Sequence, residues 1–267
     1  MIAAAKRIGR PAFEPVTLDE AKNFLRVDST DDDALITDMI TVARSALEDK
    51  LGIVIVRGIF ERVMDCFPDV RIIELWHNPV QSINHIKYID GDGATQTFAA
   101  ASYSLDNYRE PARIQLGKDY SYPNTEDIVN AVKIRYYSGM VTPFTASVTD
   151  TITAVSHGLE DDDIITVNSL GTLPSALPTG LSSGVNYYII NKTANTFEIS
   201  DTSGGTAVNI TDTGTGTHYF NDIDERLRQF ILRMIGKMYD CREDGGVYKL
   251  PTFADYLVAE FKVYAIG

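Results

Sequence analysis

The sequence predicts an α+β fold: a helical body with a small antiparallel sheet, plus an inserted all-β domain. Three observations predict it. Two helical patterns follow one another within residues 15–52, alternating strand patterns fill residues 53–137, and a third helical pattern returns after a threonine-rich block. With 267 residues, the chain can bury a core in one large domain or in two smaller ones, and we favour two.

The first helical pattern begins with a capping signal. Thr17 is followed three residues later by Glu20, so that each side chain can satisfy a backbone amide of the other. Ala21, Phe24 and Leu25 then fall on one side. We expect this helix to end near Val27.

The second helical pattern is longer and starts with an acidic run, Asp31, Asp32 and Asp33, where a helix dipole favours negative charge. Gly52 stands where a C-terminal cap belongs. The apolar stripe between them repeats at spacings of three and four and consists of Leu35, Ile36, Met39, Ile40, Ala43, Ala46, Leu47 and Leu51.

Alternation then replaces helical periodicity, which predicts short, mostly antiparallel strands. Asp90 to Gly93 is a hairpin-turn signal, because Asp and Gly tolerate positive φ angles. The predicted strands cover residues 53–64, 70–75, 83–88, 103–105, 113–116 and 132–137.

Residues 142–221, here called the insert, differ sharply in composition. They are rich in Thr, Gly and Ser, and Lys192 is their only basic residue. Alternating apolar positions favour a compact β domain over a disordered linker. Strands are predicted at residues 151–155, 164–167, 187–191, 196–199 and 208–211. Because helical pattern resumes afterwards, the ends of the insert should lie close together.

The third helical pattern follows the insert, with Asp222 as its predicted cap. Its apolar stripe comprises Ile223, Leu227, Phe230, Ile231, Met234, Ile235, Met238 and Tyr239. A last segment is apolar and aromatic to a degree unusual for a terminus, and it can either pack on the core or bind a partner; its large side chains include Phe253, Tyr256, Leu257, Phe261 and Tyr264.

The opening stretch resembles the gp6-like head-tail connector (adaptor) proteins of tailed bacteriophages. The resemblance lies in residues 16–22 (VTLDEAK), 25–27 (LRV) and 32–36 (DDALI). Later landmarks of the same family are residues 66–68, 78–83, 86–90 and 132–136, and the late helix through Tyr239, Arg242 and Glu243. The insert resembles a β module of phage virion and tail proteins at residues 157–159, 173–174, 187–188, 196–197 and 214–218.

The resemblance implies a domain organisation and a set of partners. Residues 1–14 are expected to form a mobile arm, residues 15–141 and 222–267 the connector domain, and residues 142–221 the inserted β domain. The family implies a dodecameric ring in the virion neck, assembled in the host cytoplasm. The ring would lie below the portal protein and above a stopper or tail-completion protein, with the terminal aromatic segment reaching the portal. The insert would project outward towards a neck or capsid protein.

The net charge of the chain limits how it can interact with DNA. The formal net charge of -13 argues against a protein that grips nucleic acid by neutralising phosphates, so DNA is expected only as passing cargo. No apolar run is long enough to span a bilayer. For subunit contacts we predict that Asp31, Asp32 and Asp33 of one copy face basic residues of the next, namely Arg226, Arg228 and Arg233.

No catalytic, metal or cofactor site is predicted. The four histidines are scattered, which favours surface or turn positions, and no calcium loop or nucleophile arrangement is present. Cys66 and Cys241 are expected to be reduced, partly buried thiols. Trp76 could be a core residue or part of a contact patch.

Two other functions remain open on the sequence alone. One is a stopper or tail-completion protein of the same particle. The other is a host-surface, carbohydrate-binding module, which the threonine-rich insert with its aromatic pairs suggests.

Overall fold

The computed structural model describes residues 4–171 and 176–241, and the predicted α+β class is confirmed. The three helices are α1 (Leu18–Leu25), α2 (Asp33–Leu51) and α3 (Glu225–Asp240). The capping box is present: the Glu20 amide donates to Thr17 Oγ1 at 3.1 Å, and the Thr17 amide donates to Glu20 Oε2 at 2.8 Å. The predicted portal-contact residues of the terminal segment, from Phe253 to Tyr264, lie outside the described residues.

The helices share one apolar core in which α2 packs against both α1 and α3. The predicted stripe on α2 is wrong at two positions, because Leu35 and Ala46 are exposed. Arg44 and Glu48 are buried instead. Asp222 does not cap α3; the Asp224 side chain accepts from the Arg226 amide.

Outside the insert, residues 4–141 and 222–241 are here called the body. Its strands form two antiparallel sheets rather than one. A five-stranded sheet has the order β1-β2-β8-β4-β5, and a three-stranded sheet has the order β3-β7-β6. Their bounds are β1 Ala4–Arg7, β2 Gly58–Met64, β3 Ile72–Leu75, β4 Val80–Ile89, β5 Thr95–Phe98, β6 Tyr103–Asp106, β7 Ala112–Leu116 and β8 Val132–Ser138. The two sheets enclose a second core that includes Phe60, Ile114 and Tyr136.

Three strands differ from the prediction. The expected mobile arm contains β1, which pairs with β2 in the register Ala4↔Val63 to Arg7↔Phe60. Strand β2 begins at Gly58, because the buried residues before it bond elsewhere: the Val54 amide donates to Asn78 O at 2.7 Å. Strand β5 was missed, although the turn that leads into it was predicted correctly, with the Gly93 amide donating to Asp90 O at 3.0 Å.

The insert forms a seven-stranded antiparallel sheet with its own core. The strands are β9 Thr142–Ala146, β10 Ile152–Thr153, β11 Ile164–Ile165, β12 Val167–Leu170, β13 Tyr187–Ile190, β14 Thr196–Ser200 and β15 Thr217–Phe220, in the order β11-β13-β14-β10-β9-β15-β12. Residues 208–211 are not a strand, although Ile210 is buried. The ends of the insert are adjacent, as expected, because Thr142 pairs with Phe220.

Candidate assembly surfaces

Arg57 joins the body to the insert. Its Nη1 donates to Val155 O at 2.7 Å and its Nη2 donates to Ser156 O at 2.6 Å. The guanidinium lies over the Tyr137 ring, 4.1 Å from its centroid. Burial lowers the pKa of Arg57 to about 10, which is still high enough to keep the side chain charged at neutral pH.

Strand β4 makes a second set of contacts with the insert. Ser82 Oγ donates to Ser156 O at 2.6 Å, and Gln81 Nε2 donates to Thr142 Oγ1 at 2.8 Å. Gly158 has φ +73° and lies so close to the body that a Cβ there would be 2.7 Å from Gln81 O. The insert is therefore fixed to the body through the turn after β10, residues 154–158, as well as through its two chain connections.

The insert also contributes to the helical core. Tyr219 of β15 is 6% exposed and belongs to the same buried cluster as Ile40 and Leu227. Its ring stacks on Phe13 with a centroid separation of 5.2 Å. A side chain of the insert is thus buried in the core of the body.

A charged network lies between β1 and α2. Glu48 accepts from Arg44 Nη1 at 2.6 Å, from Arg7 Nη2 at 3.2 Å and from the Ile55 amide at 2.9 Å. Arg44 Nε donates to Glu14 Oε2 at 2.6 Å. These bonds satisfy a buried carboxylate and tie the N-terminal residues to α2.

The predicted subunit-interface residues have partners within the chain. Lys22 Nζ lies 2.6 Å from Asp33 Oδ1, and Tyr239 donates to Asp32. Arg228 pairs with Glu20, and Arg226 pairs with Asp224.

Within one copy, two of the three predicted basic residues lie at the opposite end of α3 from the acidic run. The Tyr239 contact places Asp32 near the last turn of α3, whereas Arg226 and Arg228 lie in its first turn. Arg233 is exposed in the middle of α3, and Asp31 is exposed before α2. The proposed pairing between copies stays a prediction.

The expectation of surface or turn histidines is wrong for His218, which is 6% exposed in β15, whereas His157 lies at a turn but is only 3% exposed. His157 Nδ1 accepts from the Leu159 amide at 3.0 Å, and its ring meets the edge of Phe197. Burial lowers the pKa of His157. Among the described residues, no group of three or more His, Cys, Asp or Glu is arranged to hold a metal ion. Cys66 and Cys241 are free and half-buried, as predicted.

Sequence reasoning missed Arg57, Arg44 and Glu48. A signal for the last two was available, because charged residues spaced four apart interrupted the buried side of an otherwise apolar helix. No local signal marks Arg57, since its partners are 98 and 99 residues away.

Residues 15–90 match the family model of phage gp6-like head-tail connector proteins. This match agrees with the resemblance noted in the sequence, over residues 15–90, here called the connector segment, which hold α1, α2, β2, β3 and β4. Among curated proteins, none matches this chain.

The fold of the chain beyond the connector segment is also similar to known structures. One similar chain belongs to the neck of an empty gene transfer agent (GTA) particle, computed with C6 symmetry. It aligns with a TM-score of 0.57 at 12% identity, covering 98% of this chain and 97% of that one. A chain in the neck of a native GTA particle, computed with C12 symmetry, gives 0.55 at 11% identity, with coverage of 98% and 97%. The shared fold therefore includes the insert.

The described helices also bear on membrane association. In residues 4–171 and 176–241, no helix has the length and apolar character needed to cross a membrane.

Proposed function

We propose that this protein is a head-tail connector of a tailed phage or phage-like particle. In this role it forms a ring that joins the DNA-filled head to the neck and tail. The observation that carries the proposal is the connector-family match of residues 15–90, found within a fold that aligns almost end to end with chains of GTA necks.

The proposed ring lies below the portal protein, with a stopper or tail-completion protein beneath it. Symmetry of order six or twelve is the expectation, because the similar neck structures were computed with C6 and C12 symmetry. A net charge of -13 suits a wall past which DNA slides without being held.

In the proposed ring, each copy carries its insert in the same orientation. The support is a set of contacts from the body: Arg57 and Ser82 hold the turn after β10, and Gln81 holds Thr142 at the start of β9. An insert fixed in this way can present one surface repeatedly to a neck or capsid protein.

Labelling tests the location. A gold or antibody label on this protein, viewed by electron microscopy of intact particles, is expected at the head vertex. A label at the tail tip would contradict the proposal and favour a host-surface role. Pull-down with isolated portal protein separates an adaptor, which binds it, from a stopper, which binds the adaptor ring instead.

Charge reversal tests the proposed contact of the acidic run with α3 of the next copy. The double variant Asp32→Lys, Asp33→Lys is expected to weaken ring formation in native mass measurements. Because Asp33 also pairs with Lys22, the variant Lys22→Ala is the control for loss of that internal contact. Unchanged ring formation in the reversal variant would reject this pairing.

Deletion tests the proposed domain organisation. Replacing residues 142–221 with a short Gly-Ser bridge is expected to leave a soluble, folded body, since the ends of the insert are paired neighbours. The deletion also removes Tyr219 from the helical core and exposes Arg57, so a lower melting temperature is expected. Loss of all soluble protein would show that the insert is part of one indivisible core.

A further inference from the structure

An apolar groove runs along the open edge of the three-stranded sheet. We call it the β3 groove; it has a volume of about 710 Å³ and is lined by Arg62, Met64, Pro68, Val70, Ile72 and Trp76, with Ile73 and Glu74 completing its wall. Strand β3 is at the end of the sheet order and pairs only with β7 among the described strands. Val70 is 62% exposed and Ile72 is 38% exposed, so the groove offers apolar surface to solvent.

Arg62 lines this groove, and two of its donors have no partner among the described residues. Its Nε and Nη1 are buried and have no hydrogen-bond partner among the described residues. Burial lowers the pKa of Arg62, and although the charge of Glu74 acts on it, the two side chains form no ion pair. A half-buried guanidinium without an acceptor is costly, and a carboxylate supplied from outside would reduce that cost.

The loop at residues 107–111, between β6 and β7, has the complementary character. Tyr108 is 100% exposed. Glu110 is exposed as well, and partial desolvation raises the pKa of its carboxyl group, so an arginine partner would stabilise its charged form. An extended aromatic side chain beside an acidic one matches an apolar groove that contains an arginine.

We propose that the β3 groove of one copy receives the 107–111 loop of the next copy in the ring. Tyr108 would lie along Ile72 and Trp76, and the Glu110 carboxylate would accept from Arg62. This inference rests on the proposed ring and names one of its contacts.

The two surfaces are different parts of one chain, which suits a ring. The groove is at the β3 edge of the sheet, whereas the loop joins β6 to β7 and ends next to Ala112, which pairs with Leu75 of β3. A contact between two different surfaces is head-to-tail, and head-to-tail contacts close into rings when the rotation allows. Both surfaces belong to this chain, and their charges are complementary, which favours a second copy over an unrelated partner. A buried aromatic anchor next to an arginine is also the typical composition of an interface hot spot.

A charge swap tests the proposal directly. Arg62→Glu and Glu110→Arg are each expected to weaken self-association at least tenfold in sedimentation velocity over a range of concentrations, with isolated portal protein added in a parallel series. The double variant Arg62→Glu, Glu110→Arg is expected to recover most of the loss, because it restores an ion pair of opposite polarity. Lys118→Glu, at an exposed position outside both the loop and the groove lining, is the control for a general change of charge and is expected to leave association unchanged.

A second pair of variants isolates the aromatic anchor. Tyr108→Ala is expected to reduce association, whereas Tyr120→Ala, which removes a tyrosine that is 46% exposed elsewhere on the body, is expected to leave it unchanged. Thermal melting of each variant shows whether the monomer is intact, so that loss of association is not mistaken for unfolding.

The outcomes separate this contact from the ring itself. If wild-type rings form but the double variant with an intact monomer stays as impaired as the single ones, the pairing of Arg62 with Glu110 is overturned and the ring stands. If the single variants still form rings but no longer bind the portal protein, the groove is a portal-binding surface and the proposal is overturned. A wild-type chain that stays monomeric even with portal present overturns the ring as well.

Discussion

The guanidinium of Arg57 donates to the main-chain carbonyl of Ser156 at 2.6 Å, across the boundary between body and insert. The same carbonyl accepts from Ser82 Oγ at 2.6 Å, so one peptide oxygen of the insert is held from β4 and from the residue that precedes β2. A domain joined only by its two chain ends could pivot about them. This third attachment opposes such motion, and it makes the orientation of the insert a property of the fold.

Arg57→Ala removes the two hydrogen bonds that the guanidinium donates to the turn after β10. Because hydrogen bonds from a charged group are among the stronger ones, we expect the free energy of unfolding to fall by about 2 kcal/mol. The measurement is urea denaturation followed by circular dichroism, together with limited proteolysis near residue 156. Arg109→Ala, at an exposed arginine, is the matched control. Equal stability of the two variants would show that the contact contributes little.

Gly158→Ala tests the close approach of the insert to β4. The new Cβ would meet Gln81 O at 2.7 Å, whereas a Cβ at Gly184, whose φ of +75° is similar, would meet nothing within 4 Å. Both variants carry the strain of a positive φ, about 1 kcal/mol, but only Gly158→Ala adds a clash. We therefore expect the lower melting temperature for Gly158→Ala. A loss no greater than that of Gly184→Ala would mean that the boundary adjusts freely.

Glu48→Gln removes the charge at the centre of the network between β1 and α2. Arg44 is 4% exposed, so the substitution leaves an incompletely compensated buried charge. We expect a cost of about 3 kcal/mol in chemical denaturation. Asp49→Asn, on the exposed side of the same helix turn, should change stability by less than about 0.5 kcal/mol. Similar effects of the two substitutions would contradict the structural importance of the network.

His157 makes stability depend on pH. Its pKa is lowered by burial in the folded protein, so the unfolded chain, with an ordinary histidine pKa near 6.5, takes up a proton first as the pH falls. The contribution of His157 to stability is therefore fully present above about pH 6.5 and is lost as the pH falls below that value. His157→Asn, which keeps an acceptor for the Leu159 amide, should reduce the slope of unfolding free energy against pH between pH 7 and 5. An unchanged slope would assign that pH dependence to other groups.

Features that depend on neighbours in sequence were predicted well. The capping box of Thr17 and Glu20 joins residues three apart, and Gly52 caps α2 with φ 72°. Strands β6, β7 and β8 were predicted within one or two residues of their bounds. Their apolar and polar residues alternate, and this alternation shows directly which face of the strand is buried. Local backbone chemistry and hydrophobic period are enough for such elements.

Errors arose where distant chain segments decide the outcome. A short polar segment such as β1 is a strand only because β2 offers it an edge. On α2, apolar residues occur on two sides; Leu35 stays exposed, and Arg44 is buried where it bonds Glu14 and Glu48. His157 is buried because the turn that contains it sits against Phe197 of a later strand.

The sequence by itself determined the α+β class, the capping box of α1, the Gly52 cap of α2 and the resemblance of its first part to connector proteins, since each depends on local patterns and motif order. Only the tertiary structure decided that the insert is held by Arg57 and that Arg62 faces an apolar groove. Both depend on which distant groups are brought within hydrogen-bond distance or excluded from it, and no local pattern in the chain specifies that.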